Sequence, residues 1–300
     1  MTALSILRPG MFTTVQDRGR WGFQSRGVPV SGALDWYSHR LANRLLGNDP
    51  DVATLEVTLM GPHMRFEGTS AFTVTGAEFG LTVDDVPVDM NRPVEAQSGS
   101  ILKFGERRRG ARAYVAVAGG IDVPPTLGSR STHVLTGMGG VDGRALKTGD
   151  ALRIGVRGKG QGTMSPRPLP FTPYGAKLRC IPTDARLFAQ LTSQRFRVSP
   201  RSDRMGYRLE GASIVDAPTG ELISTAVPTG AIQVPPTGNP ILLMNDHATT
   251  GGYAIAAATI TADLPLAGQL APGDWVEFEA CSMDTATGEL RRLEAALDAG

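Results

Sequence analysis

SGSILKF (98–104), TGDALRI (148–154) and PGDWVEF (272–278) are three stretches of the chain that share one pattern. In each, a Gly-Ser or Gly-Asp turn is followed by apolar residues at alternate positions, such as Leu152 and Ile154. Because successive side chains of a strand point to opposite faces, this alternation predicts strands that each turn one face toward a core. The same pattern in both halves of the chain indicates related β modules.

Glycine and proline are frequent: 37 Gly and 21 Pro occur among the 300 residues, about a fifth of the chain. They are spread between short apolar runs, which is typical of short strands joined by tight turns and not of disorder. Aromatic residues make up only 6% of the chain, so aliphatic side chains and alanine must fill the core. The sequence therefore predicts a mainly β protein.

Three helices are predicted from apolar periodicity and end signals. The first begins after Ser31 as N-cap and runs to about Leu46; the second follows Asp184; the third is the C-terminal tail. The first helix is expected to turn one stripe inward, formed by Leu34, Ser38, Leu41, Ala42 and Leu45.

The segment GVRGKGQGTMSPRPLPFTPYG (155–175) has no apolar periodicity and is rich in Gly and Pro, which is typical of a linker. A new strand is predicted directly after it, at 177–181. We therefore expect an N-terminal β domain over 1–155, a linker over 156–175, a C-terminal β domain over 176–282 and a helix over 283–300.

The charge balance argues against polyanionic partners, because 30 basic and 29 acidic side chains leave a net charge of +1. Two cysteines, Cys180 and Cys281, cannot form a disulfide framework. The start MTALSILRPGMF lacks the basic and long apolar regions of a secretory signal, and the apolar runs are too short to span a bilayer. We expect a cytoplasmic protein that binds neither nucleic acid nor membrane.

Common catalytic signatures are absent from the sequence. There is no GxxxxGK[ST] loop, HExxH, CxxC or GxSxG motif. The four histidines, His39, His63, His133 and His247, lack the spacing of metal ligands, so no metal site is expected. Candidate chemistry therefore lies in four polar, glycine-rich stretches.

The first stretch is TTVQDRGRWG (13–22), where Gln16, Asp17 and Arg20 offer an amide, a carboxylate and a guanidinium. Its glycines would let the backbone approach a ligand closely. The alternative is a turn in which Asp17 and Arg20 pair only with each other.

The second stretch, residues 119–144, contains Ser129, Arg130, Ser131 and Thr132. Three hydroxyls around one guanidinium suit a carboxylate, phosphate or carbamate. The alternative is an ordered surface connection without a ligand.

The third stretch, SPRSDRMGYRL (199–209), contains Asp203, Arg204 and Arg208. Arginine forks bind carboxylates through two hydrogen bonds, and a neighbouring Asp can hold one fork in place. The alternative is a solvated basic strand.

In the fourth stretch an apolar strand at 240–244 leads into the polar run beginning at Asn245, which contains Asp246. Polar groups just after a buried strand are well placed for a site on a rigid scaffold. Gln233, on the preceding predicted strand, is expected to reach the same region. The polar run continues with Thr249, Thr250, Gly251, Gly252 and Tyr253.

Seven strings, in order from residue 14 to residue 256, together resemble the biotin-dependent carboxyltransferase family. This family includes the C subunit of 5-oxoprolinase, allophanate hydrolase subunit 2 and the antagonist of a sporulation kinase inhibitor. The strings are TVQDRGRWG, GVPVSGALD, VAVAGGIDVPPTLGSRST, GGVDGRALKTGD, SDRMGYRLEG, GAIQVPPTGNPILL and ATTGGYAIA.

The resemblance implies tandem cyclophilin-like β-barrel domains with a few short helices. It also implies a companion B subunit, or kinase-inhibitor-like protein, and a third lactam-utilisation subunit. The implied function is that of the C subunit of an ATP-dependent 5-oxoprolinase, which opens 5-oxo-L-proline to L-glutamate and is inactive alone. ATP would then be a cofactor of the complex.

Two other functions are consistent with the same resemblance. One is a carboxyltransferase subunit of a biotin-dependent urea or amide carboxylase, with the biotin supplied by another chain. The other is a non-catalytic antagonist that binds a kinase-inhibitor-like partner. Members of the family often carry Arg-Gln before Thr-Thr-Gly-Gly-Tyr and Pro after it, whereas this chain has His247-Ala248 and Ala254. This departure leaves the substrate open.

The chemistry of either reaction requires an oxyanion held by fixed donors and a group that relays protons. We therefore assign catalytic or orienting roles to Asp17, Asp203, Arg204 and Asp246. The expected substrate-binding residues are Gln16, Arg20, Ser129, Arg130, Ser131, Thr132, Arg208, Gln233, Thr249, Thr250, Gly251, Gly252 and Tyr253.

Overall fold

A computed structural model of the chain describes residues 3–158, 167–170, 172–215, 217 and 223–298. The chain divides into two compact units. The N-terminal unit comprises Met1–Arg20, Ser31–Pro170 and Ala295–Gly300, and the C-terminal unit comprises Trp21–Val30 and Phe171–Glu294. The predicted linker and tail boundaries stay predictions, because residues 159–166, 171 and 299–300 lie outside the described residues.

In the N-terminal unit, the described residues form a branched nine-stranded sheet with the order β2-β3-β8-β4-β1-β9. Strand β8 also pairs with β5, which carries β6 and β7. The strands are β1 (Ala3–Arg8), β2 (Phe12–Gln16), β3 (Thr54–Thr58), β4 (His63–Phe66), β5 (Ser70–Val83), β6 (Val86–Val88), β7 (Val94–Ala96), β8 (Ile101–Val117) and β9 (Ala151–Arg153).

The long antiparallel pair of β5 and β8 supports the core of this unit. Its register runs from Phe72 opposite Val117 to Val83 opposite Leu102. Alternate residues of the two predicted turn-and-strand stretches here, among them Leu102 and Leu152, are buried in that core. The period-two pattern therefore identifies the inward faces correctly.

Helix α1 (Trp36–Leu45) begins later than the sequence predicts. Its N-cap is Asp35, whose carboxylate accepts a hydrogen bond from the Ser38 amide, and not Ser31. Ser31 lies in the left-handed region at φ 57°, so it belongs to the preceding turn. The predicted inward stripe is confirmed, because its five members are buried: Leu34, Ser38, Leu41, Ala42 and Leu45.

The C-terminal unit contains a closed barrel with the strand order β10-β17-β14-β15-β12-β11-β18, in which β18 returns to pair in parallel with β10. A short pair of strands, β13 and β16, lies outside the barrel sheet. The strands are β10 (Gly175–Pro182), β11 (Phe196–Val198), β12 (Gly206–Glu210), β13 (Thr225–Ala226), β14 (Ala231–Val234), β15 (Ile241–Leu243), β16 (Thr250–Gly251), β17 (Ala254–Thr259) and β18 (Trp275–Ala280).

Three further helices are α2 (Ala185–Thr192), α3 (Leu264–Gly268) and α4 (Met283–Asp298). The predicted start of α2 is confirmed, since the Asp184 side chain accepts hydrogen bonds from the first-turn amides. The predicted fold class, mainly β with a few short helices, is also confirmed. No helix within the described ranges is both long and apolar enough to cross a membrane.

Candidate functional site

The first polar stretch of the sequence lies at the end of β2 in the N-terminal unit. The loop containing Thr132 runs beside this strand, and its amide and hydroxyl donate to the Val15 carbonyl oxygen at 2.9 and 3.0 Å. Gln16 completes the attachment, because its Nε2 donates to the Thr132 carbonyl oxygen at 3.1 Å. Two stretches more than a hundred residues apart are thereby held together.

Asp17 is the centre of this arrangement, which we call the Asp17 cluster (Gln16, Asp17, Arg20 and 129–132). Its Oδ1 accepts hydrogen bonds from the Gly19 amide at 2.8 Å and from the hydroxyls of Ser129 and Ser131, both at 2.6 Å. Its Oδ2 accepts one from the Arg130 amide. Burial alone would raise the pKa of Asp17, but these four hydrogen bonds together hold the pKa below its ordinary value. Asp17 is thus an ionised carboxylate surrounded by donors, which suits an orienting role.

The hydroxyls of the Asp17 cluster do not surround the Arg130 guanidinium, as the sequence predicts they would. The hydroxyls of Ser129 and Ser131 face the Asp17 carboxylate, because a buried charge requires donors. The Arg130 guanidinium instead pairs with Asp122 at 3.3 Å. Arg20 is 1% exposed, and its Nη2 donates to the Ser131 carbonyl oxygen. The predicted arrangement of three hydroxyls around Arg130 is therefore wrong, although these residues do lie together.

His39 is a buried titratable group of the same unit. It is 1% exposed, its Nε2 lies 3.1 Å from the Val52 carbonyl oxygen, and its ring meets that of Tyr114 edge-on. Burial lowers the pKa of His39, and the negative charge of Asp17 opposes this only in part. His39 is therefore neutral in the folded protein at neutral pH.

We expect the free energy of unfolding to fall as the pH is lowered from about 7 to 5. Below the ordinary histidine pKa of about 6.5, the unfolded chain binds a proton that folded His39 does not, so stability is lost as the pH falls. The slope for one proton is at most about 1.4 kcal/mol per pH unit. Urea unfolding at a series of pH values measures it, and His39→Gln should show a shallower slope. An identical slope in this variant would contradict the assignment.

A cavity of about 190 Å³ lies in the C-terminal unit, and we call it the barrel cavity. Strands β12, β14 and β15 and the segment after β15 provide its walls. It is bordered by both polar and apolar side chains. The lining residues are Asp203, Met205, Gly206, Arg208, Val227, Gln233, Ile241, Leu243, His247, Ala248 and Thr250.

Arg204 and Asp246, two predicted catalytic residues, are bound to each other. Arg204 Nε and Nη2 lie 2.9 and 3.1 Å from the two carboxylate oxygens of Asp246, and both side chains are more than nine-tenths buried. Backbone hydrogen bonds follow the same path, from the Asp246 amide to the Arg204 carbonyl and from Met244 to Met205. The pair therefore fixes two loops whose neighbouring residues, Asp203 and His247, line the barrel cavity.

Gln233 and Arg208 present donors at the barrel cavity. Gln233 is 5% exposed, and its Nε2 has no hydrogen-bond partner within the described chain. A Cβ at position 251 would overlap this nitrogen, so the glycine there leaves room for the amide. Arg208 projects from β12, and no carboxylate in the described part of the chain pairs with its guanidinium.

His247 is a cavity residue that the sequence-based prediction does not assign to the site, naming it only among the four histidines and as a departure from the family motif. Its Nδ1 lies 2.6 Å from the Ala248 carbonyl oxygen and its Nε2 lies 3.1 Å from Thr229 Oγ1. Because the carbonyl can only accept, Nδ1 carries the hydrogen and Nε2 accepts from the hydroxyl. Burial lowers the pKa of His247, so the ring is neutral at neutral pH. Its position just after a buried strand, in a polar run, is the signal that could have identified it.

Of the predicted run at 249–253, only Thr250 borders the barrel cavity. The Thr249 carbonyl accepts from Val227, Gly251 pairs with Thr225 across the small sheet, and Tyr253 is half exposed. Within the described ranges, no group of three or more His, Cys, Asp or Glu side chains is arranged to hold a metal ion.

The chain belongs to the family described as carboxyltransferase domain, subdomain A and B, whose profile matches residues 26–280. Among its relatives, the C subunit of 5-oxoprolinase from Escherichia coli is 40% identical over 94% of this chain and 93% of that protein. The subunit of the same name from Haemophilus influenzae is 35% identical over 98% of this chain and 96% of that protein.

A solved structure with the same fold is the urea carboxylase of Kluyveromyces lactis. It matches with a TM-score of 0.91 and 32% identity over 99% of this chain, but over only 29% of its own chain. The urea amidolyase structure from the same organism matches with a TM-score of 0.89, and this chain covers 20% of it. This chain therefore corresponds to a small part of those proteins.

Proposed function

We propose that this chain is the C subunit of an ATP-dependent 5-oxoprolinase that opens 5-oxo-L-proline to L-glutamate. The observation that carries the proposal is the agreement in length with the bacterial subunits: the match with the Escherichia coli protein covers 94% of this chain and 93% of that one. The match with urea carboxylase, in contrast, is confined to 29% of a longer chain. In this proposal the chain acts in the cytoplasm and is inactive alone.

Lactam opening requires donors for the oxygen that gains charge when the carbonyl is attacked. In the C-terminal unit, Gln233 Nε2 offers such a donor at the barrel cavity, and the Arg208 guanidinium also borders this cavity. The Asp17 cluster would position its own loop, since the Asp17 carboxylate is already surrounded by donors. The Arg204–Asp246 pair would likewise position cavity residues without contacting the substrate.

ATP does not fit the barrel cavity, because a volume of about 190 Å³ is below that of sites for drug-sized ligands, roughly 300–1,000 Å³. The sequence also lacks a glycine-rich phosphate loop of the GxxxxGK[ST] type. We therefore propose that the nucleotide binds elsewhere in the complex and not in the barrel cavity. The partners are a companion B subunit and a third, lactam-utilisation subunit.

The second candidate is a carboxyltransferase subunit acting on urea or a related amide. The TM-score of 0.91 to urea carboxylase favours it. Biotin would then come from another chain, because this sequence has no Met-Lys biotinylation site.

The decisive experiment is co-expression of this chain with its two partner subunits, purification of the complex and an assay of glutamate release from 5-oxoproline. We expect release that depends on ATP and on the presence of all three chains. Urea with a biotinylated carrier protein serves as the control reaction. ATP-dependent consumption of urea, with no glutamate from 5-oxoproline, would contradict the proposal and support the second candidate.

A further inference from the structure

We propose that the barrel cavity selects a small ligand that carries both a carboxylate and a carbonyl group. In this assignment Arg208 binds the carboxylate, and Gln233 Nε2 donates to the carbonyl oxygen. The inference rests on the proposed function, because it names the class of substrate that the same site accepts. It also adds Gly251 as a residue that positions the Gln233 amide.

Arg208 supplies a positive charge at the barrel cavity. Arg208 borders the barrel cavity, and none of the described carboxylates pairs with its guanidinium. Asp203 is the acidic side chain among the described lining residues, and its Oδ1 already accepts from the amides of Met205 and Gly206 at 2.8 and 3.3 Å. His247 is neutral at neutral pH because burial lowers its pKa. A guanidinium without a partner beside a cavity is suited to bind a carboxylate through two hydrogen bonds.

The Gln233 side chain supplies an uncharged donor at the same cavity. Gln233 is buried, with 5% of its surface exposed, and its Nε2 has no acceptor among the described residues. Buried donors in proteins are almost always paired, so an orphaned donor at a cavity wall indicates a ligand acceptor. A neutral donor of this kind suits a carbonyl oxygen, whose negative charge grows when the carbonyl is attacked.

Gly251 keeps the Gln233 amide in this position. A Cβ at residue 251 would overlap Gln233 Nε2 and would also contact Val227 Cγ1. Any larger residue must therefore displace the amide or the strand β16 that carries position 251. Gly251 is a positioning residue, since it acts on the ligand only through Gln233.

The size and the apolar walls of the barrel cavity suit a small cyclic ligand. A volume of about 190 Å³ equals roughly six water molecules at about 30 Å³ each, which suits one small ring with a substituent. Val227, Ile241 and Leu243 give the cavity apolar walls that would pack against such a ring. Urea offers neither a carboxylate nor an apolar surface, whereas a cyclic amide acid offers both.

The test measures the binding of three probes to the purified complex by calorimetry: 5-oxoproline, 2-pyrrolidone and cyclopentanecarboxylate. Where the complex turns over 5-oxoproline, inhibition of glutamate release by the other two probes provides a second measurement. 2-Pyrrolidone lacks the carboxylate, and cyclopentanecarboxylate lacks the carbonyl. We expect both truncated probes to bind about 10–100-fold more weakly than 5-oxoproline, as for loss of one charged or well-placed hydrogen bond.

Variants then assign each contact. Arg208→Met should weaken the binding of 5-oxoproline by about 10–100-fold while leaving the binding of 2-pyrrolidone unchanged. Arg208→Lys should have an intermediate effect, because lysine retains the positive charge but cannot form the two-pronged contact of a guanidinium. Gln233→Leu and Gly251→Ala should weaken the binding of 5-oxoproline and of 2-pyrrolidone to a similar extent. The binding of cyclopentanecarboxylate, which has no ring carbonyl, should stay unchanged. Arg197→Met is the matched control, because Arg197 is an exposed arginine of β11 that does not border the barrel cavity. Thermal melting checks that each variant is folded.

Failure of the inference and failure of the proposed function are distinguishable. Equal binding of all three probes, or an Arg208→Met complex with unchanged 5-oxoproline affinity, would overturn the inference even if the wild-type complex releases glutamate. Absence of glutamate release would overturn the proposed function, while selective binding of the carboxylated lactam in calorimetry would still support the inference.

Discussion

Replacing Arg204 with Met is expected to lower the free energy of unfolding by about 3–5 kcal/mol, the usual cost of leaving one member of a buried ion pair alone. Arg204 donates two hydrogen bonds to Asp246, and both side chains are more than nine-tenths buried. The substitution leaves the Asp246 carboxylate buried and without this partner. Urea unfolding of the full chain, followed by circular dichroism, measures the loss.

Two further variants make this prediction specific. Arg204→Met combined with Asp246→Leu removes both charges and should recover most of the stability, because well-packed apolar pairs replace buried ion pairs at little cost. Arg208→Met removes an exposed arginine of the same segment and should change the free energy of unfolding by no more than about 0.5 kcal/mol. An Arg204→Met chain as stable as the wild type would contradict the structural role. Loss of turnover in this variant would follow from lost structure and would not identify a catalytic group.

The sequence predicts the fold well where the signals are local. Turn pairs followed by alternating apolar residues identify β9 and β18, and the Asp184 carboxylate identifies the start of α2. The predicted start of α1 lies four residues too early because Ser31 and Asp35 are both good caps by residue type. The choice between them depends on the backbone, since Ser31 has a left-handed φ of 57° that only the folded turn determines.

The site is harder to predict because pairing across the chain decides what each polar residue does. Ser129 and Asp17 are 112 residues apart, and Arg204 and Asp246 are 42 apart. The sequence identifies these residue types correctly but gives no sign that they satisfy one another. His247 escapes prediction for the same reason, because only the fold places its ring in the wall of the barrel cavity.

Hydrogen bonding within the protein distinguishes two kinds of polar residue. Those whose polar atoms are paired hold the structure together, and those with an unpaired donor can bind a ligand. Asp17 and Asp246 accept hydrogen bonds from protein donors on both carboxylate oxygens. Gln233 Nε2 and the Arg208 guanidinium have no such partner among the described residues. A buried unpaired donor such as Gln233 Nε2 costs free energy, so its presence at a cavity is better explained by ligand binding than by stability.

The second large effect is expected for Asp17→Asn, a change that keeps the size of the side chain and removes its charge. The Asn amide oxygen can replace Oδ1, but its NH₂ group would then face the Arg130 amide, which donates to Asp17 Oδ2. We expect a loss of about 1–3 kcal/mol for the donor left unpaired. Because the loop at 129–132 would lose its anchor, glutamate release by the reconstituted complex should fall as well. Urea unfolding and the coupled glutamate assay measure the two effects.

The pH dependence of this variant separates a lost charge from a general weakening of the loop. In the wild type the lowered pKa of Asp17 contributes stability that is present above the ordinary value of about 3.9 and is lost as the pH falls through the folded-state pKa. Asp17→Asn should therefore be less stable than the wild type at pH 7, with a difference that shrinks toward pH 3. Asp51→Asn is the matched control, since the partly exposed ion pairs of Asp51 with Arg18 and Arg40 contribute about 0–1 kcal/mol. A difference between Asp17→Asn and the wild type that stays constant from pH 7 to pH 3 would show that the charge of Asp17 is not what holds the loop, because only a titrating carboxylate makes that difference depend on pH.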